Sequence, residues 1–144
     1  VEPSGLEASA LLADSAIRVE SSGGFAGFVS GASFVAKDGV VSVEYRPAFG
    51  RATTEPRTAT VTPDVYLSLW KDVAASGLHA LPSSGEPDSR GADRIRNVFE
   101  VRRGASTTTL IWMDAEAPAR PPELPALVET VVGTARKAVG DTRP

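Results

Sequence analysis

The chain contains no cysteine, and only one histidine and one methionine among its 144 residues. The missing cysteines exclude disulfides, thiolate metal sites and cysteine nucleophiles together, without separating an oxidising from a reducing compartment. A block of one charge sign is missing too. Fifteen basic and 18 acidic residues are interleaved to a net charge of −3, which leaves no electrostatic footprint for a nucleic acid. Apolar runs such as Leu110-Ile111-Trp112-Met113 fall far short of the roughly 20 residues that span a bilayer. Aromatic residues make up 6% of the chain and have no basic stripes beside them, so a stacking platform for bases or sugars is not expected.

What is present suits one ordinary domain. Hydrophobic residues at 42% and charged residues at 23% are typical of a globular protein, and a chain of this length can bury roughly two-thirds of its unfolded surface. Residues 1–15 carry Pro3, Gly5 and a short apolar cluster, Leu11-Leu12-Ala13, too brief for a helix without docking. They read as a tail or export linker. Residues 16–140 form the expected domain, and 141–144 a second tail. A start at Val1, with no methionine, fits a processed signal peptide or a trimmed chain.

Period-2 alternation marks the strands. Ile17 and Val19 alternate with Arg18 and Glu20; Ala32 and Phe34 share a face across from Val35; Val41, Val43 and Tyr45 alternate with Ser42, Glu44 and Arg46. Asp38-Gly39 is a two-residue hairpin signal, and Thr58 to Val61 pairs back as a short fourth strand. Thr62-Pro63-Asp64 opens a helix, with Val65, Tyr66, Leu69, Trp70, Val73 and Ala74 as its apolar stripe and Gly77-Leu78 as its stop. Asn97–Arg102 and Thr107–Met113 form a hairpin around Arg103-Gly104-Ala105, burying Phe99, Val101, Leu110 and Trp112. Pro121-Pro122-Glu123 leads into a last helix striped by Leu124, Leu127, Val128, Val131 and Ala135. The expected fold is α+β: a largely antiparallel sheet of five to six strands with two helices on one face, in the order βββ(β)αββα.

Residues that could carry chemistry are few. His79 follows the first helix with neither a cysteine nor a paired carboxylate beside it, so a metal site or a Ser-His-Asp triad has little basis. Asp88, Asp93, Asp114 and Glu116 flank loops, where carboxylates are ordinarily solvated rather than gathered into a calcium or glycosidase site. No cofactor is expected. The most specified stretch is Ser22-Gly23-Gly24-Phe25-Ala26-Gly27, in which two adjacent glycines admit positive φ and a third leaves room for close approach. It lacks phosphate-loop spacing and precedes a strand, so it reads as a tight turn or bulge, or as a rim shown to a partner.

Several of these features occur together elsewhere. Ile17 to Gly27, the helix end Gly77-Leu78-His79-Ala80-Leu81, the Gly91-Ala92-Asp93-Arg94 loop and the approach from Ala117-Pro118 to Leu127 resemble the emfourin-like family. That family comprises proteinaceous inhibitors of thermolysin-like, protealysin-type metallopeptidases and similar exported lipoprotein domains. The resemblance spans about residues 16–138 and departs from the compact pattern in the insertion from Asp38 to Thr60. It implies a non-catalytic bacterial binding domain, monomeric, whose partner is such a peptidase or another envelope protein and whose contact residues are Ser22 to Gly27. The alternative it implies is an exported cell-envelope interaction or structural domain without inhibitory activity. Export to the periplasm, or a lipoprotein-like setting whose anchor this cysteine-free chain does not carry, is the expected location, with the cytoplasm left open.

Overall fold

The computed structural model describes residues 8–23, 28–46, 57–78, 95–113 and 124–140. In chain order they form α1 (Ala8–Ala13), β1 (Asp14–Gly23), β2 (Phe28–Lys37), β3 (Val40–Arg46), β4 (Arg57–Val61), α2 (Pro63–Ser76), β5 (Ile95–Arg103), β6 (Ser106–Met113) and α3 (Leu124–Ala138). The strands make one open antiparallel sheet in the order β4-β3-β2-β1-β5-β6. The α+β expectation therefore stands, with six strands. Two details differ: there are three helices rather than two, and the order opens with a helix.

Register follows from alternation. Ile17 pairs with Phe34 on one side and Val101 on the other, Phe34 pairs with Val43, and Val19 pairs with Ala32 and Phe99. These side chains all bury on one face, where they join Tyr66, Leu69, Trp70 and Val73 of α2 and Leu124, Leu127, Val131 and Ala135 of α3 in a single core. Turn chemistry holds the hairpins in that register. Asp38 and Gly39 both take positive φ, 53° and 84°, which matches the strand twist that a two-residue hairpin needs. Gly104, at φ 56°, serves the same purpose between β5 and β6.

Helix α2 ends as its sequence suggests. Gly77 is left-handed, its N–H reaches the Val73 and Ala74 carbonyls, and Leu78 folds under into the core. Its start is less complete: Thr62 occupies the N-cap position in extended backbone but makes no side-chain cap. Val65, placed on the apolar stripe by its spacing, is 38% exposed. The stripe that buries is Tyr66, Leu69, Trp70 and Val73.

The larger correction concerns residues 1–15. Residues 8–13 are helical and β1 begins at Asp14, so this stretch is not a tail over its described part. Leu11 is 4% exposed within the core. A six-residue helix cannot hold itself together in water, and here distant groups hold it. The Asp38 N–H donates to the Ala13 carbonyl at 3.1 Å and the Gly39 N–H to the Leu12 carbonyl at 2.9 Å, so the β2–β3 turn caps the end of α1.

A buried polar chain ties α1 to α2. The Ser15 hydroxyl donates to the Leu11 carbonyl and lies 2.5 Å from the Tyr66 hydroxyl. Since the serine proton is committed to Leu11, Tyr66 is the donor in the second bond. Tyr66 packs edge-on against Trp70, whose buried indole N–H has no hydrogen-bond partner in the described structure. Burial, which disfavours the charged phenolate, raises the Tyr66 pKa above its ordinary 10.0. Replacing Tyr66 with phenylalanine is expected to cost about 1–2 kcal/mol at neutral pH, the worth of a buried hydrogen bond whose partner is left behind. The unfolded chain gives up the phenol proton first as pH rises, so the stabilisation is complete below pH 10 and declines above it. Urea denaturation of both proteins at pH 7 and above pH 10 should therefore show the gap between them narrowing.

Candidate functional site

Strands β1 and β2 pair without a bulge from Asp14↔Lys37 to Gly23↔Phe28. On its other side β1 pairs with β5 as far as Gly23↔Ile95. Ser22 and Gly23 are thus ladder residues of the innermost strand, and the segment 24–27 begins and ends on backbone held by the sheet. The turn expected between the first two strands is a hairpin connection; Gly24, Phe25, Ala26 and Gly27 themselves lie outside the described residues.

The core-facing side chains near this end of the sheet are polar. Ser21 stands opposite Ser30 and Asn97, and its hydroxyl donates to the Asn97 Oδ1 at 2.7 Å. With Tyr45 and with Val128 and Val132 of α3, these residues line a cleft of about 110 Å³. That is far below the roughly 300 Å³ at which small-molecule sites begin, and fits one protein side chain or a few waters. Glu20 and Arg46 also border it. A serine nucleophile needs a base, and the partner of Ser21 is an amide oxygen that cannot take a proton.

The opposite face of the sheet is not covered by the three helices. Read across the strands, one row is Thr58, Glu44, Ser33, Arg18, Glu100 and Thr109, and the next is Arg46, Gly31, Glu20, Val98 and Ile111. Arg18 contacts Glu20 at 3.2 Å and Glu100 at 3.5 Å, and Thr109 donates to Glu100 at 2.8 Å. Side chains about one-third exposed make such pairs worth little to stability. A shallow trough of about 490 Å³ lies over β2, β3 and β4, with Val35 and the Ser42, Thr58 and Thr60 hydroxyls in its lining.

Gly31, at the centre of this face, is a position that the alternation pattern does not single out. Its φ is +154°, and a Cβ there would lie 2.2 Å from the Val19 carbonyl oxygen. A lone glycine inside a strand pattern is the signal that marks such close backbone approach.

The other candidates separate cleanly. Tyr66, Trp70 and Phe99 are core residues rather than a platform. The Trp112 side chain, His79, Asp88, Asp93, Asp114 and Glu116 lie outside the described residues. Among the described residues, no three His, Cys, Asp or Glu side chains group to hold a metal ion, and no helix is long and apolar enough to cross a membrane. No protein-family model and no curated protein matches the chain.

Proposed function

We propose that the chain is a non-catalytic binding domain that engages a thermolysin-like metallopeptidase through Ser22-Gly23-Gly24-Phe25-Ala26-Gly27. The observation that carries this reading is the fixing of both ends of that string. Gly23 is paired on both sides in the innermost strand, and Phe28 is paired directly across from it. An inhibitor gains affinity when its contact segment is anchored before binding, because less conformational freedom is then lost on association. The resemblance of Ile17–Gly27 to the emfourin-like inhibitors supplies the partner class. The cleft beside the string, where the Ser21 hydroxyl is bonded to the Asn97 amide oxygen, suits recognition of a protein partner.

Titration against a panel of thermolysin-like metallopeptidases tests the reading. The expected result is inhibition of at least one peptidase at micromolar concentration or below, with the binding domain left intact. Full peptidase activity beside an uncleaved, folded chain would reject the inhibitor assignment and favour a cell-envelope binding role.

A further inference from the structure

The sheet face away from the three helices carries, over β1 and β3, a charge pattern that is complementary to itself. On β1 this face reads Ala16, Arg18, Glu20; on β3 it reads Ser42, Glu44, Arg46. Glu44 lies in the same row as Arg18 and Arg46 in the same row as Glu20, one strand removed on either side of β2. Strand β2, between them, presents only Gly31, Ser33 and Val35, and Val35 is 42% exposed.

We propose that this face associates with a second copy of itself about a two-fold axis running along β2. Such an axis lays β3 of each copy over β1 of the other. Glu44 then faces Arg18 of the second copy, Arg46 faces Glu20, and Ser42 faces Ala16, each contact occurring twice. Val35 meets its own counterpart on the axis. The usual offset of about 30° between stacked sheets is met by tilting the axis about half that angle from β2. Self-complementarity of this kind is what an isologous interface requires. Arg18 already has Glu20 and Glu100 as neighbours, whereas Glu44 is exposed and has no ion-pair partner among the described residues. The free carboxylate is the group that gains most.

The strength follows from the area. Three strands spaced about 4.8 Å apart, with about six residues each at 3.4 Å, cover roughly 300 Å² per copy, below the size of stable complexes. The dimer is therefore weak and reversible. Its named contacts are Arg18, Glu20, Glu44 and Arg46 rather than residues 22–27, and its test reads mass rather than inhibition, so the two proposals can fail separately.

Sedimentation equilibrium over a concentration series up to about 1 mM should show a monomer–dimer equilibrium for the natural chain, a dissociation constant in this range being the expectation for so small an interface. Glu44→Lys and Arg18→Glu should each weaken self-association by about tenfold or more, since each homodimer then sets like charges opposite one another twice. Mixed in equal amounts, the two variants should dimerise again. The introduced lysine of one copy then meets the introduced glutamate of the other, and the unaltered Arg18 of the first meets the unaltered Glu44 of the second. Val35→Lys, at a position exposed in the monomer, should also dissociate the dimer while leaving the melting temperature of the monomer unchanged. A mass that stays monomeric across the whole series, or variants that fail to restore association on mixing while each remains folded, would overturn the proposal.

Discussion

Replacing Gly31 with alanine is expected to destabilise the protein by about 3 kcal/mol or more, the range reached when a substitution drives an atom into fixed backbone. The added Cβ would lie 2.2 Å from the Val19 carbonyl oxygen and 2.9 Å from the Glu20 Cα. Neither atom can move aside cheaply. Val19 and Glu20 belong to β1, which is hydrogen-bonded to β2 on one side and β5 on the other. The backbone at φ +154° is itself one that side-chain-bearing residues rarely adopt. Gly39→Ala is the informative control. Gly39 also has positive φ, but a Cβ there meets nothing within 4 Å, so only the conformational penalty of about 1 kcal/mol is expected. Urea midpoints of the two variants should separate widely. A Gly31→Ala protein as stable as the Gly39→Ala protein would mean that β1 and β2 do not meet in this register.

Leu11→Ala is expected to cost about 3 kcal/mol, as for other large apolar side chains removed from a packed core. A residue in a solvated tail would change stability by no more than about 0.5 kcal/mol, so the experiment separates the two readings of the N-terminal segment cleanly. Leu11 is 4% exposed and shares the core with Ile17, Phe34 and Tyr66. Its carbonyl also accepts the Ser15 proton, and Ser15 in turn accepts from Tyr66. Loosening α1 therefore disturbs the buried hydroxyl pair as well as the packing. Thermal and urea denaturation would both register the loss, and a variant matching the parent in both would return α1 to the status of a tail.

These two residues also show where local sequence patterns run out. Alternation at Ile17, Val19, Val41 and Val43 is legible because each strand buries one face, and Asp38-Gly39 is legible because few residue pairs accept two positive φ angles in succession. The stop at Gly77-Leu78 is readable for the same kind of reason. Helix α1 is not, since six residues contain too little of a helical period and its caps come from Asp38 and Gly39, far along the chain. The start of β1 is hidden by Asp14-Ser15, polar letters that give no sign that Ser15 is fully buried. Nor does any local pattern say that β5 pairs with β1. Hairpins fix neighbours in sequence, whereas the β1–β5 pair brings together residues such as Ile17 and Val101.

The candidate site is legible in its type and only partly in its placement. The glycine-rich string reads as a connection between two strands, and the ladder from Asp14↔Lys37 to Gly23↔Phe28 agrees. Its polar neighbours cannot be foreseen, because Ser21, Ser30 and Asn97 come from three strands whose order only the tertiary fold sets. The self-complementary charges on the sheet face away from the three helices are likewise invisible until β1 and β3 are placed on either side of β2.

The measurement that bears most directly on the proposed function is a side-by-side inhibition titration of a thermolysin-like metallopeptidase with the natural chain and with Phe25→Ala, each accompanied by a thermal melt. The natural chain is expected to inhibit, and the variant to lose about tenfold or more in potency at an unchanged melting temperature, as for removal of an aromatic anchor from an interface. Equal potency of the two folded proteins would contradict the placement of the contact at residues 22–27, and absence of inhibition by the folded natural chain would contradict the inhibitor reading itself.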